Sequence, residues 1–143
     1  MVINIRNLQK RVKVGRRLSR GLKKAVLGSF GNRKKGELTL CLVDDNTMKE
    51  INLFYHGSDR ATDVLAFDIS ICTKKKKEIL ADIVISADTA FSNARAFKTS
   101  VEKEILLYAI HGSLHLIGYN DGTEEKRKRM EKKSMLILQN VYS

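Results

Sequence analysis

The chain has no proline, and only two cysteines and three histidines among its 143 residues. Without proline there is no X-Pro bond to isomerise slowly during folding, and the usual punctuation of domain boundaries is missing too. Aromatic residues make up 6% of the sequence, too sparse for an obvious base-stacking platform. No apolar run reaches the roughly eighteen residues of a membrane helix. The stretch MVINIRNLQKRVKVGRR lacks an uninterrupted apolar core ending in small residues, so neither a membrane span nor a secretory signal is expected. Cys41 sits in LTLCLV and Cys72 follows FDISI, and neither belongs to a C-x-x-C pair. Buried, reduced thiols and a cytoplasmic protein are therefore expected.

What is present points to one ordinary domain spanning residues 1–143, since the length supports a single core but not two typical ones. Hydrophobic residues at 43% and charged residues at 30% give the composition of a globular protein rather than a disordered or fibrous one. The formal net charge is +11, with cations clustered in KRVKVGRR, RKK at 33–35, KKKK at 74–77 and KRKRMEKK. Such a balance suits a polyanionic partner through neutralisation of phosphates, although a solvated basic surface accounts for charge runs equally well.

Period-two alternation in MVINIRN, and the apolar runs ELTLCLVDD, TDVLAFDISI and LADIVIS, predict strands. The last two form a hairpin with the lysine run as its tip. Helical spacing predicts a helix through LSRGLKKAVLGSFG and another through NTMKEINLFYHG, with Asn46 as a cap and Gly57 as its stop. ADTAFSNARAF is a third. A capping box of Thr99 and Glu102 starts a longer helix that runs to Ile117 and breaks at Gly118. Thr123 opens a final helix, with Met130, Leu136, Ile137 and Val141 on its buried side. The order of elements implies an α+β fold, a small mixed sheet of about four strands covered by about five helices.

Chemistry concentrates in LLYAIHGSLHLIGYNDGTEE, residues 106–125. His111 and His115 lie four apart and so present their rings from one face of the long helix, where two imidazoles can hold one metal ion. In H-E-x-x-H metalloproteases a glutamate between the histidines is the general base; here that place is taken by Gly112, and a protease loses its base. The turn composition GYNDG can bring Asp121 back as a third ligand, giving two His and one Asp. Partly buried histidines satisfied by backbone groups are the plainer alternative. Glu104 shares the stripe but stands roughly 10 Å along the axis from His111, which fits packing or surface rather than contact with that ring.

HGSLHLIGYND resembles the H-G-x-L-H-L-x-G-Y-D-H signature of the YbeY endoribonucleases, metal-dependent enzymes of ribosomal RNA maturation. INLFYHGSDRATDVLAFDI is similar to that family's N-x-x-Y-R-x-x-D-x-x-T-D-V-L-S-F-P, LADIVIS to its G-D-I-x-I-S strand, and VEKEILLYAIHG to its approach to the metal helix. The similarity runs from about Asn46 to Met130. It implies a zinc ion, or another divalent metal, held by His111 and His115. It also implies an endoribonuclease whose partners are ribosomal RNA and ribosomal subunits; single-strand specificity is expected because a single strand's backbone can bend into a small metal cleft.

Two positions depart from the family pattern. The third histidine falls at Asp121 and the aspartate before it at Asn120, while His56 stands where the family has a functionally important arginine. A carboxylate in place of an imidazole lowers the charge of a zinc site by about one unit, which acidifies bound water less and favours harder metals such as Mn or Mg. His56 can donate to the scissile phosphate and so orient it, but lacks arginine's permanent charge and bidentate fork. Thr62 and Asp63 match the T-D of T-D-V-L, and Asp82 matches the aspartate of G-D-I, where a largely structural role is expected. The rival to an attenuated enzyme is a noncatalytic RNA- or ribosome-binding module that keeps the fold and has lost its metal chemistry.

Overall fold

Alternating side chains decide which face of each strand is buried in the computed structural model, which describes residues 1–31, 35–70 and 78–142. The elements are β1 (Val2–Asn7), α1 (Arg16–Phe30), β2 (Gly36–Val43), α2 (Asp45–His56), β3 (Val64–Asp68), β4 (Ile79–Ser86), α3 (Ala87–Phe97), α4 (Val101–Leu116) and α5 (Glu124–Asn140). This is the α+β arrangement of a four-stranded mixed sheet with five helices that the sequence implies. Cys72 and the lysine run 74–77, the expected hairpin tip, lie outside the described residues, as do positions 33 and 34 of the second basic cluster.

Across the sheet the strands are ordered β1-β2-β4-β3, the first three parallel and β3 antiparallel to β4 at one edge. The register sets Leu38, Leu40 and Leu42 of β2 opposite Ala81, Ile83 and Ile85 of β4, and all six are buried. Alternate residues share a face, so these six make one apolar surface. It is covered by Leu22, Ala25 and Val26 of α1 and by Ile105, Ala109, Ile110 and Leu114 of α4. Each large aliphatic side chain removed from water there stabilises the fold by about 1.5–3 kcal/mol. α4 is the central column, touching α1, α3, α5 and the strands β3 and β4. The opposite face of the sheet carries a smaller cluster under α2, built on Val43, Met48 and Val84.

Helix ends differ from the sequence reading in detail. Asp44, not Asn46, caps α2, accepting from the Thr47 amide at 2.8 Å. Ser100 caps α4 by accepting from the Lys103 amide at 3.1 Å, while Thr99 Oγ1 instead donates to Glu104 Oε1 at 2.7 Å. Short polar side chains are near-equivalent caps, so the chain chooses among neighbours by local geometry that spacing does not reveal. Gly57 ends α2 in the left-handed conformation, and Thr123 caps α5 through the Lys126 amide, as the sequence suggested. Leu136, expected on the buried side of α5, is 52% exposed. The buried stripe is Met130, Ser134, Ile137 and Val141, whose spacing keeps helical phase where Leu136 does not.

Cys41 is a free, half-buried thiol; burial raises its pKa, the Asp82 carboxylate adds to that and Arg6 opposes it. Among the described residues no helix is long and apolar enough to cross a membrane.

Candidate functional site

The site begins where α4 stops. Gly118 takes φ +103, a region that strains any residue with a Cβ. The amides of Ile117 and Tyr119 both reach the Leu114 carbonyl, at 3.2 and 3.0 Å, and the Gly118 amide reaches that of His115 at 3.1 Å. This reversal sets the Tyr119 carbonyl oxygen 3.0 Å from His115 Nδ1. A carbonyl oxygen only accepts, so Nδ1 carries a proton, and in the neutral tautomer Nε2 keeps the lone pair. Further along, Asn120 Oδ1 accepts from the Gly122 amide at 3.1 Å, closing the turn ahead of Thr123.

His111 lies one helical turn earlier and is half-buried. Burial pushes its pKa below the ordinary 6.5; the Asp63 carboxylate opposes this, His115 lowers it further, and Glu131 and Asp121 oppose more weakly. The uncharged imidazole that results at neutral pH is the form a metal ion requires. Asp63, just ahead of β3, Glu131 on α5 and Asp121 on the turn are thus near enough for their charges to act on this ring. Asp63 is itself pinned, accepting from the Val64 amide at 2.8 Å and from Thr62 Oγ1 at 3.3 Å. The T-D match in the sequence could have marked Asp63 as a neighbour of the histidines; nothing in the sequence marks Glu131.

The donor types suit a divalent cation in part. Two imidazoles one turn apart, one of them held by a backbone carbonyl, are ordinary zinc donors. Asp121 is exposed, and among the described residues no three His, Cys, Asp or Glu side chains are gathered closely enough to hold a metal ion. A cavity of about 360 Å³ adjoins the turn, lined by Ile117, Gly118, Tyr119, Asn120, Lys126 and Arg129. Two cations thus face the end of the helix that carries both histidines.

Other sequence-derived candidates lie elsewhere. His56 is exposed at the end of α2, its Nδ1 3.1 Å from Asn52 Oδ1 and its ring stacked on Phe67 at 6.2 Å and 20°. Asp82 lies on the α2 side of the sheet beside Cys41. Glu104 is buried and accepts from Thr99, a packing role. Gly112 is buried too: a Cβ there would lie 3.0 Å from Ile83 Cγ2 and 3.2 Å from Val64 Cγ2. The place occupied by glutamate in H-E-x-x-H enzymes therefore faces the sheet.

An α+β domain whose central helix ends in paired histidines beside a basic cavity has the makings of a phosphodiester-handling protein. The family described as Endoribonuclease YbeY matches residues 4–142, and the chain belongs to that family. It is 36% identical over 149 residues to an Endoribonuclease YbeY of Desulforamulus reducens, covering 99% of this chain and 97% of that one. It is 38% identical over 142 residues to that of Syntrophus aciditrophicus, with coverage of 96% and 88%. The solution structure of TM1509 from Thermotoga maritima is similar with a TM-score of 0.68 at 28% identity, covering 99% of this chain and 89% of that one.

Proposed function

We propose that the chain is a metal-dependent endoribonuclease of single-stranded RNA, acting in ribosomal RNA maturation in the cytoplasm. His111, His115 and Asp121 would hold one zinc or other divalent ion. The observation that carries this reading is the His115–Tyr119 hydrogen bond, which uses Nδ1 as the donor and leaves the Nε2 lone pair of the neutral ring for a cation. The relatives named as endoribonucleases supply the substrate class. A divalent ion in this position supplies Lewis acidity toward a phosphoryl oxygen and acidifies water.

The chain's own residues do the rest. Burial keeps His111 uncharged, and the Tyr119 carbonyl fixes the ring of His115. Lys126 and Arg129 set cations along the cavity beside the turn, where RNA phosphates can lie. His56, held by Asn52 and Phe67, is the phosphate-orienting group in place of arginine. Closing the shell requires Asp121 to swing in from its exposed position on the turn. Metal analysis together with cleavage of a single-stranded RNA tests the reading: bound zinc, and activity lost to a chelator and restored by metal, is the expected result. Cleavage undiminished in chelator by metal-free protein would overturn it.

A noncatalytic RNA- or ribosome-binding module is the second reading, favoured by the exposed Asp121 and the ungathered third ligand. RNA binding without cleavage at any divalent metal supplied would establish it.

A further inference from the structure

Three of the nine aromatic residues gather in one place. Phe54 and Tyr55 meet edge to face with centroids 4.9 Å apart, and Tyr55 meets Phe67 at 4.8 Å. Phe54 is 80% and Tyr55 61% exposed, although burial of such rings is ordinarily favourable. Beside them opens a cavity of about 540 Å³ on the α2 side of the sheet, walled by Tyr55, Phe67, Ile51 and Val84 and edged by Asp68 and Asp82. That volume is in the range of small-ligand sites.

The chemistry of the walls narrows the occupant. Two carboxylates repel a phosphate, so a nucleic-acid backbone is kept out of the cavity itself. A nucleobase meets both demands: its faces stack on rings, and its amino and ring N–H groups donate to carboxylates. Cys41, on the cavity wall, is paired in register with Arg6 of β1, whose cation is therefore set on the same side of the sheet for an adjoining phosphate. We propose that this cavity is a nucleobase subsite for single-stranded RNA, in which Tyr55 and Phe67 stack the base and Asp82 accepts from its amino group. The subsite favours guanine, with paired N–H donors, then cytosine and adenine, over uracil. It rests on the endoribonuclease reading, to which it adds base selection at a position outside the histidine site.

The test compares short single-stranded RNA oligonucleotides with a guanine, a uracil or an abasic unit at a central position, the phosphates being unchanged. The intact chain should bind the guanine oligonucleotide about tenfold more tightly than the abasic one. Tyr55→Leu should erase that difference, and Asp82→Asn should erase the preference over uracil, while affinity for the abasic oligonucleotide stays the same; Phe67, which also packs on His56, is left intact. Circular dichroism checks folding. Should a leucine variant fail to fold, Phe54→Ala, on the exposed rim, should reduce the guanine-over-abasic ratio instead. Equal binding of all three oligonucleotides, or a base preference untouched by these variants, overturns the subsite and leaves the patch to a protein partner. Cleavage that persists without base preference sinks the subsite alone; base preference without cleavage sinks the nuclease alone.

Discussion

His115 Nδ1 and the carbonyl oxygen of Tyr119 stand 3.0 Å apart, a contact made by the chain reversing at Gly118. Asp121, on the turn that follows, is exposed, yet near enough for its charge to act on His111. If Asp121 is the third ligand, Asp121→Ala should lower both zinc content and RNA cleavage by more than about tenfold. Asp121→His, restoring the family residue, should keep or raise zinc affinity and increase cleavage. Full metal content in the alanine variant would show that Asp121 is not a ligand.

Binding to RNA should weaken steeply with salt, given the net charge of +11. Lys126 and Arg129 line the cavity beside the turn, so replacing both by alanine should flatten the slope of log affinity against log salt by roughly 1.4, at about 0.7 per phosphate contact on a single strand. Titrations at several ionic strengths read this. An unchanged slope would mean that these two cations face solvent only.

Gly112→Ala should destabilise the protein by roughly 1 kcal/mol, despite alanine's better helix propensity. The new methyl meets fully buried Ile83, which has nowhere to move, and pushes the helix that carries both histidines. Urea unfolding gives the stability change, and zinc affinity should fall with it. A stabilised variant would show that α4 can shift from the sheet at no cost.

Alkaline pH should weaken the fold through Tyr108. Burial, the largest cause, pushes its phenol up to about 12, although the Asn93 amide donates to its oxygen and opposes this. Between pH 10 and 12 the unfolded chain has released a proton that the folded one keeps, so stability falls as pH rises through that window. The loss from this residue is on the order of 2 kcal/mol when complete. Tyr108→Phe should show a shallower decline in unfolding free energy between pH 10 and 12. A decline as steep as in the parent would place the alkaline sensitivity elsewhere.

Local pattern in the sequence determined the element order, the stop at Gly118 and the placing of two imidazoles on one stripe of α4. Each follows from a period of two or 3.6 residues, or from glycine's access to positive φ, and needs no knowledge of distant chain. Caps were legible to within a residue or two, because neighbouring polar side chains compete for the same amides. Tertiary structure alone decided that Gly112 lies against Ile83 and Val64, that Asp63 and Glu131 act on His111, and that Phe67 joins Phe54 and Tyr55. Those relations depend on which strand pairs with which and on what the central helix packs against. Periodicity names the residues that share a face; only the pairing of β4 with β2 and β3, and the seating of α4 on that sheet, decides which faces meet.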